Sequence, residues 1–471
     1  MKHVLSFVLL VSSICAFAQV KIGDNPNTID PASILEMEDT ARGMLMPRMT
    51  TTQRDAISSP PDGLQVYNTT TSTVDVYRDN KWEATSYAKT DENMVYVYSL
   101  DDLPAPSGSA ITLDANTLYL FRGIVDISPY YLELNGASLR GMDPARDGVS
   151  SMVSGAILRS TDVSVYMDGL VVIPLSGSTM AYDFKDATGT KFCNLFAGNS
   201  VIEVGIPSLG VGAISGFEAA TITKNYWSCT DGLKIGGTMG KFALAFTFIT
   251  NLTTGAAIEF LDNLVVNDID LSNNYFIYTG QTGIKLNPSA QVDRGRMTTN
   301  MFRDVGTPLV GMDSYTKGWN MNQNTNIPDS RAFCFIYFSG NSTATSLPVS
   351  YPYFYRIAGE TTTIEEKRFT ATDNKITYNG VDPIKSKVSV VIGAEAPSNN
   401  SDFSIGIAKN GVSLAGPTSS MAAAANGQSF QITLNTEVSL VEGDFLEVFI
   451  TRNNNNTSSI TVEEFQFRVT D

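Results

Sequence analysis

The sequence predicts an all-β protein: a small α+β module at the N-terminus, a parallel β-helix in the middle, and a second β domain of different build at the C-terminus. Three observations carry this. Gly, Ser, Thr and Asn are abundant while charged residues make up only 17% of the 471, a mix that favours strands and turns over helical bundles. Between residues 111 and 316, short apolar runs recur with an asparagine or aspartate every 23 to 31 residues, and a period of that size built from strand-length pieces marks a solenoid. Past residue 330 the period stops and alternating runs separated by tight turns take over. With 43% hydrophobic and 10% aromatic residues the chain can fill packed cores, and its length allows two to four domains.

Residues 1–18, MKHVLSFVLLVSSICAFA, combine Lys2, the apolar stretch Val4–Ile14 and the small-x-small sequence Ala16-Phe17-Ala18 before Gln19. This is the form of a secretory signal peptide, too short to span a bilayer. Cys15 offers a lipoprotein anchor as the alternative, but Ile14 stands where such a motif wants a small residue. No later run reaches the ~20 apolar residues a membrane helix needs. The expectation is an extracellular protein, secreted or at the cell surface, without its own membrane span.

Residues 19–86 form the first module. A strand leads to a turn at Arg42-Gly43, then a short helix near Thr51–Ile57 with Thr50 or Thr51 as cap. After Pro60-Pro61 a hairpin follows, with strands Leu64–Asn68 and Val74–Arg78. Thr40, Gly43, Leu45, Pro47-Arg48-Met49-Thr50, Gln53-Arg54, Ala56-Ile57, Gly63-Leu64, Tyr67-Asn68-Thr69, Tyr77 and Trp82 follow one motif. On these residues the stretch resembles a short module at the start of many secreted Bacteroidetes proteins and phage-like fibre proteins. The resemblance implies attachment or assembly and no chemistry. Residues 87–110, with a Pro/Gly/Ser patch, read as a linker.

The β-helix is expected over 111–316. Its repeat is marked by Asn194, Asn225, Asn251, Asn274 and Asn300, and Asp168 extends the series backwards. A second series accompanies it: VIEV at 201–204, GLKI at 232–235, AIEF at 257–260 and GIKL at 283–286. Two strand-length pieces per period without helical patterning select a parallel β-helix over a leucine-rich repeat. Ile258/Phe260 and Ile284/Leu286 fall on one face of their strands, and Glu259 and Lys285 on the other. Turn asparagines stacked from coil to coil satisfy backbone groups that would otherwise be orphaned. The six residues are therefore read as a structural ladder and not as a binding site. The region resembles the pectate-lyase-like β-helices of polysaccharide-active enzymes and phage tailspikes, which implies a right-handed coil and carries over no catalytic motif.

The polar stretch 317–330 reads as a second linker. In 331–471, strands are expected at Ala332–Phe338, Lys387–Ile392, Phe403–Ala408, Phe430–Leu434, Phe445–Ile450 and Ile460–Val469, with turns such as KNG (409–411) and VEGD (441–444) between them. The ordered segments KRFTATDNKITYNG, SIGIAKNG and LVEGDFLEVFITRNNNNTSSITVEEFQFRV resemble the jelly-roll β-sandwich head of complement-type and tumour-necrosis-factor-like proteins. That resemblance implies trimerisation.

The composition also excludes chemistry. A net charge of −16, with no Lys/Arg cluster, repels nucleic acid and anionic lipid. The single histidine, His3, lies in the signal segment, which removes imidazole as base, acid or metal ligand after cleavage. Cys193, Cys229 and Cys334 are odd in number and match no zinc spacing, so they read as small buried hydrophobes. No D-x-D-x-D-G loop is present, and neither metal nor cofactor is expected. Two groups could still work on a glycan. Asp262, Asp268, Asp270, Asp293, Arg294, Arg296, Arg303 and Asp304 could serve a lyase or glycosidase, with Asp268/Asp270 sharing a strand face, or they could be a solvated surface. Tyr226, Trp227, Tyr275, Phe276 and Tyr278 could stack on sugars or fill the coil. The resulting expectation is a non-enzymatic, homotrimeric fibre or spike for adhesion or receptor and glycan binding. Its alternatives are a polysaccharide lyase or glycoside hydrolase, and a phage tail spike or fibre of the virion.

Overall fold

The computed structural model describes residues 19–23, 25, 28–85, 93–277, 281–416 and 418–471. Residues 1–18, read above as a signal peptide, and Tyr278 lie outside these residues. The chain divides into two units, Met1–Glu92 and Asn93–Asp471.

In the first unit, Val20–Gly23 pairs in parallel with Leu35–Glu38. The helix Thr51–Asp55 begins at a capping box: the Thr50 hydroxyl accepts from the Gln53 backbone N–H, and the Gln53 side chain accepts from that of Thr50. A four-stranded sheet follows, in the order Arg48–Met49, Gln65–Asn68, Thr73–Arg78, Lys81–Thr85. The motif residues converge on one buried carboxylate. Asp75 accepts from Arg54 Nη1 at 2.5 Å, Asn68 Nδ2 at 2.9 Å and Thr73 Oγ1 at 2.7 Å. Burial pushes its pKa up, and these hydrogen bonds with the Arg54 charge outweigh that and hold it below the ordinary aspartate value.

The second unit starts with a parallel β-solenoid of three sheets. Sheet A has ten strands, from Met94–Val97 to Trp319–Asn322; sheet B has eight, from Ile124–Asp126 to Met301–Arg303; sheet C has nine, from Ala110–Thr112 to Thr307–Val310. One coil runs Ala219–Thr223 in A, Tyr226–Ser228 in B and Leu233–Gly236 in C. The sequence suggested two strands per period; the third is the three-residue strand of sheet B, too short to show a pattern of its own. In sheet C, Leu233, Ile258 and Ile284 lie in register, facing the core. VIEV belongs to sheet B instead, where Val201 pairs with Trp227. Its counterpart in C is Gly212–Ser215, whose glycine and alanine hid it. Strands at Met94–Val97 and Trp319–Asn322 also lie within stretches read as linkers. Their short or polar alternation resembles loop sequence.

The core is a set of columns. Leu139, Met167, Leu195, Ile222, Leu244, Leu271, Met297 and Met321 form one, in register along sheet A and fully buried. Each such side chain contributes about 1.5–3 kcal/mol of burial. In sheet B the column is Val201, Trp227, Ile249, Phe276 and Phe302, the last two rings parallel with centroids 4.6 Å apart.

In the later coils the chain turns from sheet A to sheet B on a single left-handed residue, Gly198, Lys224, Phe246, Asn273 or Thr299, and Gln323 holds the same conformation after the last sheet A strand. Phe246 does so at φ 54° with its ring 52% exposed, a conformation costing a non-glycine residue about 1–2 kcal/mol. Phe246→Asn is expected to raise the denaturation midpoint, by about 0.5–1 kcal/mol in stability, since asparagine tolerates this region. A lowered urea midpoint would contradict this.

The C-terminal part is a sandwich of two antiparallel sheets. One orders Thr362–Lys367, Phe333–Ser339, Ser459–Thr470, Ile384–Glu395, Ser429–Leu440; the other Phe369–Thr372, Lys375–Tyr378, Phe445–Arg452, Ser401–Lys409, Val412–Ser413. It meets the last coil through polar contacts. Arg368 donates to the carbonyls of Ser314 and Trp319, and Lys317 pairs with Glu442. On the outermost strand of sheet A, the Met321 N–H donates to Ser330 Oγ and its carbonyl accepts from the Ser330 N–H, both at 2.8 Å.

Candidate functional site

The residue just before each of the last five sheet B strands forms an internal ladder: Asn199, Asn225, Thr247, Asn274 and Asn300, continued by Asn324. Asn300 Oδ1 accepts from the Asn274 backbone N–H at 3.1 Å and from its side-chain amide at 3.0 Å. Asn324 Oδ1 repeats this with Asn300 at 3.0 and 2.8 Å. Asn199 Oδ1 accepts from the Leu170 N–H at 3.1 Å. Thr247 interrupts the column, because its hydroxyl turns back to the Ala245 carbonyl.

Of the six residues predicted, Asn225, Asn274 and Asn300 occupy the ladder position, and three do not. Asp168 ends a sheet A strand and faces Arg140, 3.5 Å away. Asn194 sits mid-strand in Phe192–Phe196, opposite Tyr166 and Thr221. Asn251 follows a sheet B strand, and its amide donates to Ser228 Oγ at 2.7 Å. The fixed distance in the sequence runs forward from the asparagine to the buried apolar residue two places on, as in Asn199–Val201 and Asn300–Phe302. Counting from that residue finds Asn199 and Thr247.

The outer carboxylates do not form an acid–base pair. Asp268 lies 3.3 Å from Lys241 and Asp270 2.9 Å from Arg296, each across to a neighbouring coil. Each of the two thus faces its own cation on a different neighbouring coil. Asp262 accepts from the Ser289 N–H at 3.0 Å, Arg303 lies 3.6 Å from Asp304, and Arg294 lies 4.0 Å from Asp382. Asp293 is exposed and joins no cluster. Among the described residues, no group of three or more His, Cys, Asp or Glu could hold a metal. Cys193, Cys229 and Cys334 are buried, which pushes the first two thiols up strongly and Cys334 to about 12, far from reactive thiolates.

The aromatics divide by strand alternation. Trp227 and Phe276 point into the coil, while Tyr226 and Tyr275 point out. The outward row of sheet B is Ser200, Tyr226, Phe248, Tyr275, Met301; Phe248 was missed because single aromatics give no periodic signal. Phe248 and Tyr275 stack with centroids 4.4 Å apart and planes at 6°. Each covers one face of the other, which takes that face from any sugar, while Tyr226 in the same row is exposed.

Comparison with curated proteins finds no significant match. Among solved structures, murine APRIL at pH 5.0 aligns at 8% identity over 30% of this chain and 98% of its own, with a TM-score of 0.22. Eiger TNF from S. frugiperda aligns at 13% identity over 30% of this chain and 93% of its own, also at 0.22. Residues 21–96 match the family described as a phage tail like trimerisation region.

Proposed function

We propose that this is a homotrimeric fibre- or spike-like protein that acts outside the cell as an adhesin or receptor-binding module, with a surface glycan as its partner. The observation that carries the reading is the trimerisation-region match at 21–96, set ahead of a rigid solenoid of three long parallel sheets. Such a coil, whose backbone is satisfied rung to rung, makes a stiff spacer. The sandwich, fixed to the last coil by Arg368 and Lys317, fits the terminal part of a fibre, and a jelly-roll head of the trimeric kind suits that place. Asp268 and Asp270, each paired with its own cation, support binding over hydrolysis. The leader-like residues 1–18 favour export, and a virion spike is the second reading, resting on the same family match.

Light scattering on the purified full chain tests the assembly. A mass near three times the 50.9 kDa chain is expected, and a monomer at micromolar concentration would sink the reading. A broad glycan array tests the partner.

A further inference from the structure

The corners from sheet C to sheet A shorten along three successive coils. Residues 186–191 form the first, 216–218 the second, and Gly237 alone the third. The long corner therefore overhangs the two shorter ones and encloses a cleft of about 560 Å³, within the roughly 300–1,000 Å³ of small-molecule sites. Its overhanging wall is fixed. Asp186 is buried, and its carboxylate accepts from the backbone N–H groups of Thr188, Thr190 and Lys191 at 2.8, 2.9 and 2.8 Å and from the Thr188 hydroxyl at 2.6 Å. A wall held this way has little entropy left to lose on binding.

The cleft also collects polar groups that the fold does not use. Elsewhere on the outer surface, Asp168, Asp183, Asp268 and Asp270 each face a cation. The Glu218 carboxylate, the Thr238 hydroxyl and the Asn267 amide line the cleft, and among the described residues none of the three makes a side-chain hydrogen bond or ion pair. Gly240 allows the close approach of the Glu218 backbone, whose carbonyl oxygen a Cβ there would meet at 2.5 Å. Lys185, the cation at the rim, is held by Asp183 at 2.8 Å.

We infer that this cleft binds a neutral, hydroxyl-rich saccharide, with Glu218 accepting from adjacent hydroxyls and Asn267 and Thr238 each able to donate and accept. The inference rests on the glycan-binding reading above and names its site and ligand class. The unpaired carboxylate, on a chain of net charge −16, repels uronate and sulfated sugars. The shape supplies no aromatic face, so selectivity comes from hydroxyl geometry.

The test is an array of neutral and acidic glycans probed with the full chain and with Glu218→Gln and Thr238→Trp, both exposed positions. Wild type is expected to bind neutral glycans, Glu218→Gln about ten- to a hundredfold more weakly, and Thr238→Trp not at all, with melting points unchanged. If wild type binds neutral glycans and both variants match it, the cleft is not the site, and the adhesion reading stands. Preference for acidic glycans overturns the ligand class. Binding to nothing on the array removes both the cleft and the glycan partner.

Discussion

Asn300→Ala is expected to lower the stability of the solenoid by about 3–5 kcal/mol, the sum of several buried groups losing partners at about 1–3 kcal/mol each after partial relaxation. The side chain accepts from the N–H and amide of Asn274 and donates to Asn324 Oδ1 and the Leu271 carbonyl, both at 2.8 Å. All four contacts are inside the coil, where water cannot replace them. Asn300→Asp should fare little better, since a carboxylate cannot donate to Leu271. Asn251→Ala, at an exposed corner where φ is 59° and alanine fits less well than asparagine, should cost only about 1–2 kcal/mol. In a solenoid the damage is local, so hydrogen exchange near residues 271–274 and 324 should rise first. Equal denaturation midpoints for Asn300→Ala and Asn251→Ala would refute the ladder's role.

In the first unit, Asp75→Ala is expected to cost about 2–4 kcal/mol, because it removes the buried acceptor of the Asn68 amide and of Arg54 Nη1 and leaves Arg54 with the more exposed Asp55 alone. Acid should act on the same contact. The folded pKa of Asp75 lies below its unfolded value. Its stabilisation is therefore complete above about pH 4 and fades as pH falls through the folded value. Limited proteolysis of the full chain should show cleavage within 19–86 rising below about pH 4, while Asp75→Asn should be cut readily already at neutral pH and lose that pH step. Resistance of both proteins down to about pH 3 would place the unit's stability elsewhere.

The fold class was legible because its determinants are local and repeated. Ile258/Phe260 and Glu259 declare a strand with one wet face, and such strands recur at solenoid spacing. Register was harder to read. Asn194 and Asn251 stand in attractive contexts, yet only a neighbouring coil decides which asparagine fills the internal corner. Corners of one residue at Gly237 and six at 186–191 shift the count between coils, so a fixed period slips. Outward or inward pointing of Tyr226 and Trp227 follows from alternation alone, whereas the stacking of Phe248 on Tyr275 depends on two coils meeting. The cleft at Glu218 was invisible to the sequence, since it arises from the difference in length between corners far apart in the chain.

The Ser330 and Arg368 contacts on the last coil bear on how copies can join. Sheet A would otherwise end in open strand groups, the template on which β proteins grow into filaments. Here the Met321 N–H and carbonyl and the Trp319 carbonyl are already taken, and Phe302 in the last strand of sheet B gives its carbonyl to Asn326 Nδ2. End-to-end polymerisation through these strands is closed off.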